Sequence, residues 1–481
     1  MVLGTFLCVL RASVVEQARS IQQAIEPRRH RGHGEGDPGE WFWGGLRVFR
    51  VFRGFLRSPW CFVRMNEDIP LPAWGSCRHC GASLHHTFVD LGMSPLCESY
   101  VPADRLNSME PFYPLHVFVC DQCWLVQLLE YVKAESIYSE YAYFSSYSDS
   151  WLDHARRYVE MVIQRFALSP KDQVIEIASN DGYLLQYFVQ KSYRVLGIEP
   201  AANIAETARG KGIPTRNEFF GEKCALNLAS EGCRAKLLLG NNVLAHVPDL
   251  NDFVAGLKVL LASDGVLTME FPHLQRLIEG NQFDTIYHEH FSYLSLLAVN
   301  RLFESRGLRL FDVEELSTHG GSLRIYACHH DDRSFETHRR VTDLLQRERA
   351  LGYESVATYQ RFGEQVRETK RKLLEFLSRV KREGKSIAGY GAPGKGNTLL
   401  NYCGVRTDFL DYTVDRNPYK QGKYLPGTRI PIHAPEYLEH TKPDYILILP
   451  WNLRDEIEKQ LTHTRRWGAK LVVPIPEVEC W

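Results

Sequence analysis

Gln173-Val174-Ile175-Glu176-Ile177-Ala178-Ser179-Asn180-Asp181-Gly182 is an apolar run that breaks into a turn of small and polar residues. Residues 173–178 read as a short strand, and a helix signal follows from Tyr183. A second strand, Arg194-Val195-Leu196-Gly197-Ile198, ends in Glu199-Pro200. Ser150 to about Phe166 patterns as a helix ahead of these strands, and further apolar runs lie at Lys236–Leu239 and Val266–Phe271. Strands that alternate with helices build a parallel, helix-covered sheet, so the fold class is α/β. A small-residue turn lets a ligand approach the backbone at the carboxyl end of such a sheet, and a carboxylate ending the next strand can accept both hydroxyls of a ribose. Ser179, Asn180, Asp181, Gly182, Glu199 and Pro200 together point to an adenosine ligand. An ordinary strand-turn-helix with surface acids is the competing reading.

Outward from this unit, residues 331–383 are charged and hold apolar residues at helical spacing, which predicts one or two linking helices. A second α/β unit runs from Ser386 to the end, with strands near Ile387–Tyr390, Leu410–Val414, Tyr445–Leu449 and Leu471–Val473. Its Gly389-Tyr390-Gly391-Ala392-Pro393-Gly394 follows a strand, with Asp411 or Asp415 near the end of the next, as a dinucleotide site would have. The same stretch reads as G-x-x-x-x-G-K, but Gly396 stands where a phosphate loop needs a hydroxyl for Mg²⁺. A sugar-nucleotide site, an independent dinucleotide site and a purely structural lobe all remain open on these residues.

Toward the N-terminus, Cys77-Arg78-His79-Cys80 and Cys120-Asp121-Gln122-Cys123 form two C-x-x-C pairs. Two such turns supply the four thiolates of a tetrahedral zinc site, and four protein ligands leave no open position, which makes the metal structural. Core thiols or a redox pair are the alternatives; neither pair opens a thioredoxin-like helix. Residues from about Pro27 to Arg64 mix Arg, Gly, His and Trp without periodicity, so 1–64 read as a disordered or non-native leader with Met65 as the working start, an Arg-rich nucleic-acid or organelle-targeting arm being the alternative.

The bulk numbers exclude several classes. The 481 residues are 44% hydrophobic and 24% charged, with a net charge of −1, so no global field draws the chain to nucleic acid or an anionic membrane. No uncharged apolar stretch of about 18 residues argues for a membrane span, and the cytoplasm is the expected compartment.

Phe283-Asp284-Thr285-Ile286-Tyr287-His288-Glu289-His290-Phe291-Ser292-Tyr293 is the densest polar-aromatic cluster. If extended, Tyr287, Glu289 and Phe291 share one face and His288 and His290 the other. Histidine suits proton abstraction near neutral pH, and a nearby carboxylate can orient it or take a second proton. Structural or surface histidines are the bland alternative.

With the paired cysteines, the E-I-x-S-N-D-G turn, the N-V-L-A-H-V-P-D loop at 242–249, the Y-H-E-H-F-S-Y string, H-G-G-S-L-R at 319–324 and G-Y-G-A-P-G-K-G-N, the chain resembles the nucleotide-sugar C-methyltransferases. The resemblance runs from about Cys77 to Pro474. It implies a zinc-binding module (65–135), a class I S-adenosylmethionine-dependent, Rossmann-like core (136–330), a helical linker (331–383) and a Rossmann-like lobe (384–481). It implies two cofactors, S-adenosyl-L-methionine and a structural Zn²⁺ on Cys77, Cys80, Cys120 and Cys123. Asn241 and Asn242 would join the cofactor residues.

By the same resemblance, His290 would remove the proton beside the ketone of a dTDP-type deoxy-keto-sugar. Tyr287 and Glu289 would line the sugar site, with Glu289 a second acid/base. His246 and a tyrosine of the run 141–146 would complete the pocket, Tyr141 ahead of Tyr143. Gly394, Lys395 and Asn397 would help hold the sugar nucleotide. Ala178 departs from the family, where glycine is usual. Heteroatom methylation, or a non-catalytic zinc-ribbon scaffold with two degenerate nucleotide folds, are the rival functions.

Overall fold

The computed structural model describes residues 74–138 and 144–481. The leader, the start at Met65, Tyr141 and Tyr143 lie outside the described residues. Three sheets follow, all within the unit Leu71–Trp481.

The central sheet is built from β4 (Gln173–Ile177), β5 (Arg194–Ile198), β6 (Thr215–Arg216), β7 (Ala235–Asn241), β8 (Leu261–Pro272), β10 (Leu308–Leu316) and β11 (Ser322–His329). Their order is β10-β11-β8-β7-β4-β5-β6. Strands β4 to β8 are parallel, and β11 runs antiparallel to both its neighbours. From β4 the chain steps to β5 and β6 on one side and then returns to β7 on the other. The crevice at the carboxyl ends of β4 and β7 is therefore the topological switch point, where open α/β sheets take their ligands. This is a Rossmann-like core.

The first strand stops one residue earlier than the apolar run suggests, because Ala178 turns to φ +54°. The preceding helix, Asp149–Arg165, starts at an N-cap where Ser148 Oγ accepts from the Trp151 amide at 3.3 Å. Its buried stripe, Trp151, Ala155, Tyr158, Val159 and Val162, has the 3.6-residue period that lays one face on a sheet.

In the N-terminal module, β1 (His86–Ser94), β2 (Tyr113–Val119) and β3 (Val126–Leu128) form an antiparallel meander. Its fourth strand comes from far along the chain: β9 (Ser292–Tyr293) pairs with β3 through Val126↔Tyr293 and Gln127↔Ser292. The module is thus sewn to the end of the Y-H-E-H-F-S-Y string.

In the C-terminal lobe, β12 (Ile387–Tyr390), β13 (Tyr412–Val414), β14 (Ile432–His433), β15 (Tyr445–Ile448), β16 (Lys470–Val473) and β17 (Glu479–Cys480) lie in the order β14-β13-β12-β15-β16-β17. All pairs are parallel except β16–β17. Residues 331–383 hold the helices Arg339–Ala350 and Val356–Arg382. The longer one does more than link. Phe362 stacks on Phe88 of β1 with ring centroids 4.7 Å apart, and one hydrophobic cluster runs from Phe88 and Val117 through Phe362 and Leu373 to Leu399 and Leu447.

Candidate active site

A cavity of about 320 Å³ opens at the switch point, walled by Ala178, Asn180, Glu199, Pro200, Asn241 and Asn242 among others. Glu199 follows directly on β5 and is only 5% exposed. Its carboxylate accepts from the amides of Asn180 at 3.0 Å and Ala201 at 2.9 Å. Burial outweighs those bonds and pushes its pKa up to about 7. Asn242 Nδ2 bonds His319 Nε2 at 3.0 Å, while its Oδ1 is buried with no hydrogen-bond partner among the described residues. A poorly solvated carboxylate and an orphaned amide oxygen are what a nucleoside with free hydroxyls and an amine would satisfy. Trp151, Tyr183, Phe220 and Phe253 give the cavity its apolar faces.

The remaining cofactor residues named from sequence build the turn and do not line the cavity. Asp181 is held by Ser146 and by Lys211 Nζ at 2.8 Å. Ser179 packs against Gly197, where a Cβ would come within 2.3 Å of its Oγ. Gly182 has φ +76°, and a Cβ there would meet Ile213 at 2.1 Å, so the tight turn requires glycine.

The reacting string is not extended. A 3-10 turn spans Phe283–Thr285, and a tight turn closed by the His290 amide on the Tyr287 carbonyl at 2.9 Å follows. Alternation is therefore broken. Tyr287 and His290 lie side by side, ring centroids 4.1 Å apart, while His288 turns away to the Pro114 carbonyl at 3.2 Å. His290 is 9% exposed. Its Nδ1 meets the Thr285 carbonyl at 2.8 Å. A carbonyl can only accept, so Nδ1 carries the proton and Nε2 the lone pair. Nε2 makes no hydrogen bond among the described residues. Burial, then the neighbouring His246, hold this imidazole well below its ordinary pKa, and it is neutral across physiological pH.

His246 joins this centre to the cavity. It lines the cavity wall, and its ring lies 4.6 Å from that of His290. Its Nδ1 is 2.7 Å from the Tyr138 hydroxyl, which also reaches the Glu289 carbonyl at 3.2 Å. Burial lowers the His246 pKa to about 4. Tyr138 was not singled out by the sequence; it opens the tyrosine-rich run 138–147, and composition marks the run without saying which ring turns inward. Glu289 Oε1 lies 3.7 Å from the buried thiol of Cys97, which sequence reasoning also missed.

The C-terminal lobe closes on this centre. A Cβ on Gly394 would approach Cys97 Sγ to 2.9 Å, and Asn397 Nδ2 donates to the Cys97 carbonyl at 2.6 Å. Lys395 Nζ donates to Asn452 Oδ1 at 2.9 Å and lies 5.0 Å over the Trp451 ring; burial lowers its pKa. The backbone of the glycine-rich loop is already engaged at Ala392. The Ala392 amide donates to Asp415 at 2.7 Å, and its carbonyl accepts from Tyr100 at 2.5 Å and Lys420 at 2.9 Å. Asp411 is paired with Lys381 at 2.9 Å.

Cys77, Cys80, Cys120 and Cys123 bring their four sulfurs within 4.8 Å of one another. Two of the separations, Cys77–Cys123 and Cys80–Cys120, are 3.4 and 3.5 Å. Tetrahedral zinc with Zn–S of ~2.3 Å sets sulfurs ~3.8 Å apart, so the donor set fits the metal. Gln127 Nε2 donates to Cys77 Sγ at 3.1 Å and the Gln122 amide to Cys120 Sγ at 3.4 Å, as thiolate ligands call for.

Comparison with known proteins gives three family matches along the chain. They are a zinc binding domain over 77–138, a methyltransferase domain over 151–313 and a C-methyltransferase C-terminal domain over 317–476. The C-methyltransferase NovU of Streptomyces niveus is 36% identical over 411 residues, 85% of this chain and 97% of that protein. Among solved structures, the magnesium protoporphyrin IX methyltransferase of Synechocystis PCC 6803 matches 40% of this chain and 88% of its own. It is 15% identical, with a TM-score of 0.30. An S-adenosylmethionine-dependent methyltransferase of Clostridium acetobutylicum matches 37% and 92%, at 11% identity and a TM-score of 0.31.

Proposed function

The chain belongs to the C-methyltransferase family, which takes its methyl group from S-adenosylmethionine, and on that premise we propose that it methylates the carbon beside the ketone of a nucleotide-linked deoxy-keto-sugar, dTDP-linked. The observation that carries this reading is His290: a neutral imidazole, its Nδ1 fixed on the Thr285 carbonyl at 2.8 Å, its ring 4.6 Å from a residue of the cofactor cavity wall. When bound, S-adenosylmethionine supplies an electrophilic methyl carbon.

His290 Nε2 takes the proton alpha to the ketone, and the Thr285 carbonyl steadies the imidazolium that forms. The C–H electron pair moves into the enolate, whose oxygen needs donors placed in advance. His246 with the Tyr138 hydroxyl is one such pair, and Tyr141, ahead of Tyr143, is the further candidate. Tyr287 and Glu289 line the sugar side, with Glu289 a second proton acceptor. Gly394, Lys395 and Asn397 hold the sugar nucleotide from the C-terminal side. Ser179, Asn180, Asp181, Gly182, Glu199, Pro200, Asn241 and Asn242 form the cofactor side, the first, third and fourth by shaping the turn. A four-thiol zinc site suits a reducing compartment, so we assign the chain to the cytoplasm. No described helix is long and apolar enough to cross a membrane.

The test is His290→Gln. It should bind S-adenosylmethionine as the wild type does and lose roughly 10²–10⁴-fold in turnover, the usual contribution of a positioned base. It should also lose exchange of the alpha proton with deuterated water in the absence of methyl donor. Glu289→Gln should cost less. Exchange that persists at the wild-type rate removes His290 from the role, and a product with its methyl on oxygen or nitrogen by NMR refutes the reaction class.

A further inference from the structure

Arg78 stands between two of the zinc ligands, Cys77 and Cys80, yet its side chain points away from the metal site into the protein. Nη1 donates to the Pro248 carbonyl at 2.7 Å, Nη2 donates to the Leu128 carbonyl, and the guanidinium lies 5.4 Å over the Phe291 ring. Those partners belong to three different parts of the chain. Leu128 ends β3, Phe291 follows His290 directly, and Pro248 lies in the cavity wall with Val247, Asp249 and Asp252.

The knuckle backbone grips the same wall from a second direction. Asn251 Nδ2 donates to the Arg78 carbonyl at 3.2 Å and the His79 carbonyl at 2.8 Å. Asn251 sits in the first turn of the helix Leu250–Leu260, whose N-cap Asp249 is itself a wall residue. On the metal side, Gln127 closes the circuit. Its Oε1 accepts from the Arg78 amide at 2.9 Å and its Nε2 donates to Cys77 Sγ at 3.1 Å. Knuckle, cavity wall and reacting string are therefore fastened at one guanidinium.

We propose that Arg78 is a positioning residue for the cofactor site, through which the zinc knuckle holds the Val247–Asp249 wall in its binding shape. The guanidinium bonds the two carbonyls through two separate nitrogens, a fork that a single ammonium nitrogen does not reproduce. The zinc site, closed to chemistry by its four ligands, thereby acts on cofactor affinity. This rests on reading the cavity beside Glu199 as the cofactor's.

The test measures S-adenosylhomocysteine binding by calorimetry, with zinc content by elemental analysis, for full-length wild type, Arg78→Met and Arg78→Lys. Arg78→Met is expected to keep its zinc and lose at least tenfold in affinity, with KM for S-adenosylmethionine rising and kcat changing much less. Arg78→Lys, which keeps charge and stem but reaches one carbonyl, should fall between. Wild-type affinity in either variant with zinc retained overturns the proposal. Failure of both variants to fold also overturns it, since Arg78 would then be a folding residue and not a positioning one. Failure of the wild type itself to bind S-adenosylhomocysteine would instead strike the reading of the cavity.

Discussion

If Glu199 holds the cofactor's ribose, as proposed, cofactor binding is a proton-linked event whose size follows from the surroundings of Glu199. In the free protein, burial holds its pKa at about 7, against an ordinary value of 4.5. A ribose placed at the end of β5 would donate both hydroxyls to the carboxylate, and hydrogen bonds to the ionised form lower a pKa. If the bound value returns to the ordinary one, the pKa change of about 2.5 units corresponds to ~3.4 kcal/mol at full linkage. The sign is fixed: the ligand prefers the ionised form, so affinity is highest above pH 7 and falls as the carboxylate protonates. Between pH 7.0 and pH 5.5 the dissociation constant should rise roughly fifteenfold, and binding at pH 6 should release about 0.9 proton. His246 and His319, both lowered to about 4 by burial, titrate below this window. Calorimetry in two buffers of different ionisation enthalpy measures the release directly. Glu199→Gln should bind more weakly at pH 7 and show a flat profile. A wild-type dissociation constant constant within twofold over that window, with no proton released, would refute the assignment of Glu199 to the cofactor.

The zinc and the turn give two further tests. Cys120→Ser should release the metal, about one per chain in the wild type, and destabilise the β1–β3 sheet, because structural zinc contributes folding free energy; a well-folded wild type without zinc by elemental analysis ends that reading. Ala178→Gly should leave the turn at least as stable, since a left-handed backbone costs an L-residue ~1–2 kcal/mol and glycine's added freedom costs ~0.5–1 kcal/mol. Faster amide exchange across residues 178–182 in that variant would show that φ +54° carries no strain.

Four strands of the central sheet, β4, β5, β7 and β8, were legible because they carry short, mostly buried apolar runs. Arg194–Ile198 in that sheet, and Ile387–Tyr390 in the C-terminal lobe, begin and end where the apolar pattern does. The first strand was overread by one residue, since an alanine gives no sign that it will adopt a left-handed turn. The four cysteines declared their site by spacing alone. The string around His290 did not yield its shape. Period-two logic presumes a strand, and one hydrogen bond from residue 290 to 287 turns it into a loop that pairs Tyr287 with His290. Contacts that depend on three-dimensional return of the chain carried no local signature. Tyr138 on His246, Cys97 at Glu289 and Tyr100 in the glycine-rich loop all belong to that class. In the C-terminal lobe the glycine pattern gave no sign that Tyr100 and Lys420 would both donate to the Ala392 carbonyl of that loop.

The pairing of β3 with β9 sets an order on biosynthesis. Residues 126–128 leave the ribosome long before residues 292–293, so the edge of β3 has no partner while most of the central sheet is being made. An open strand edge is a template for pairing with other chains. The thiolates of 77–123, by contrast, are all present early and can take up metal before the core exists. Metal loading at that stage would keep the young meander in register, and the chain would gain its last edge strand only when the segment carrying His290 arrives to close it.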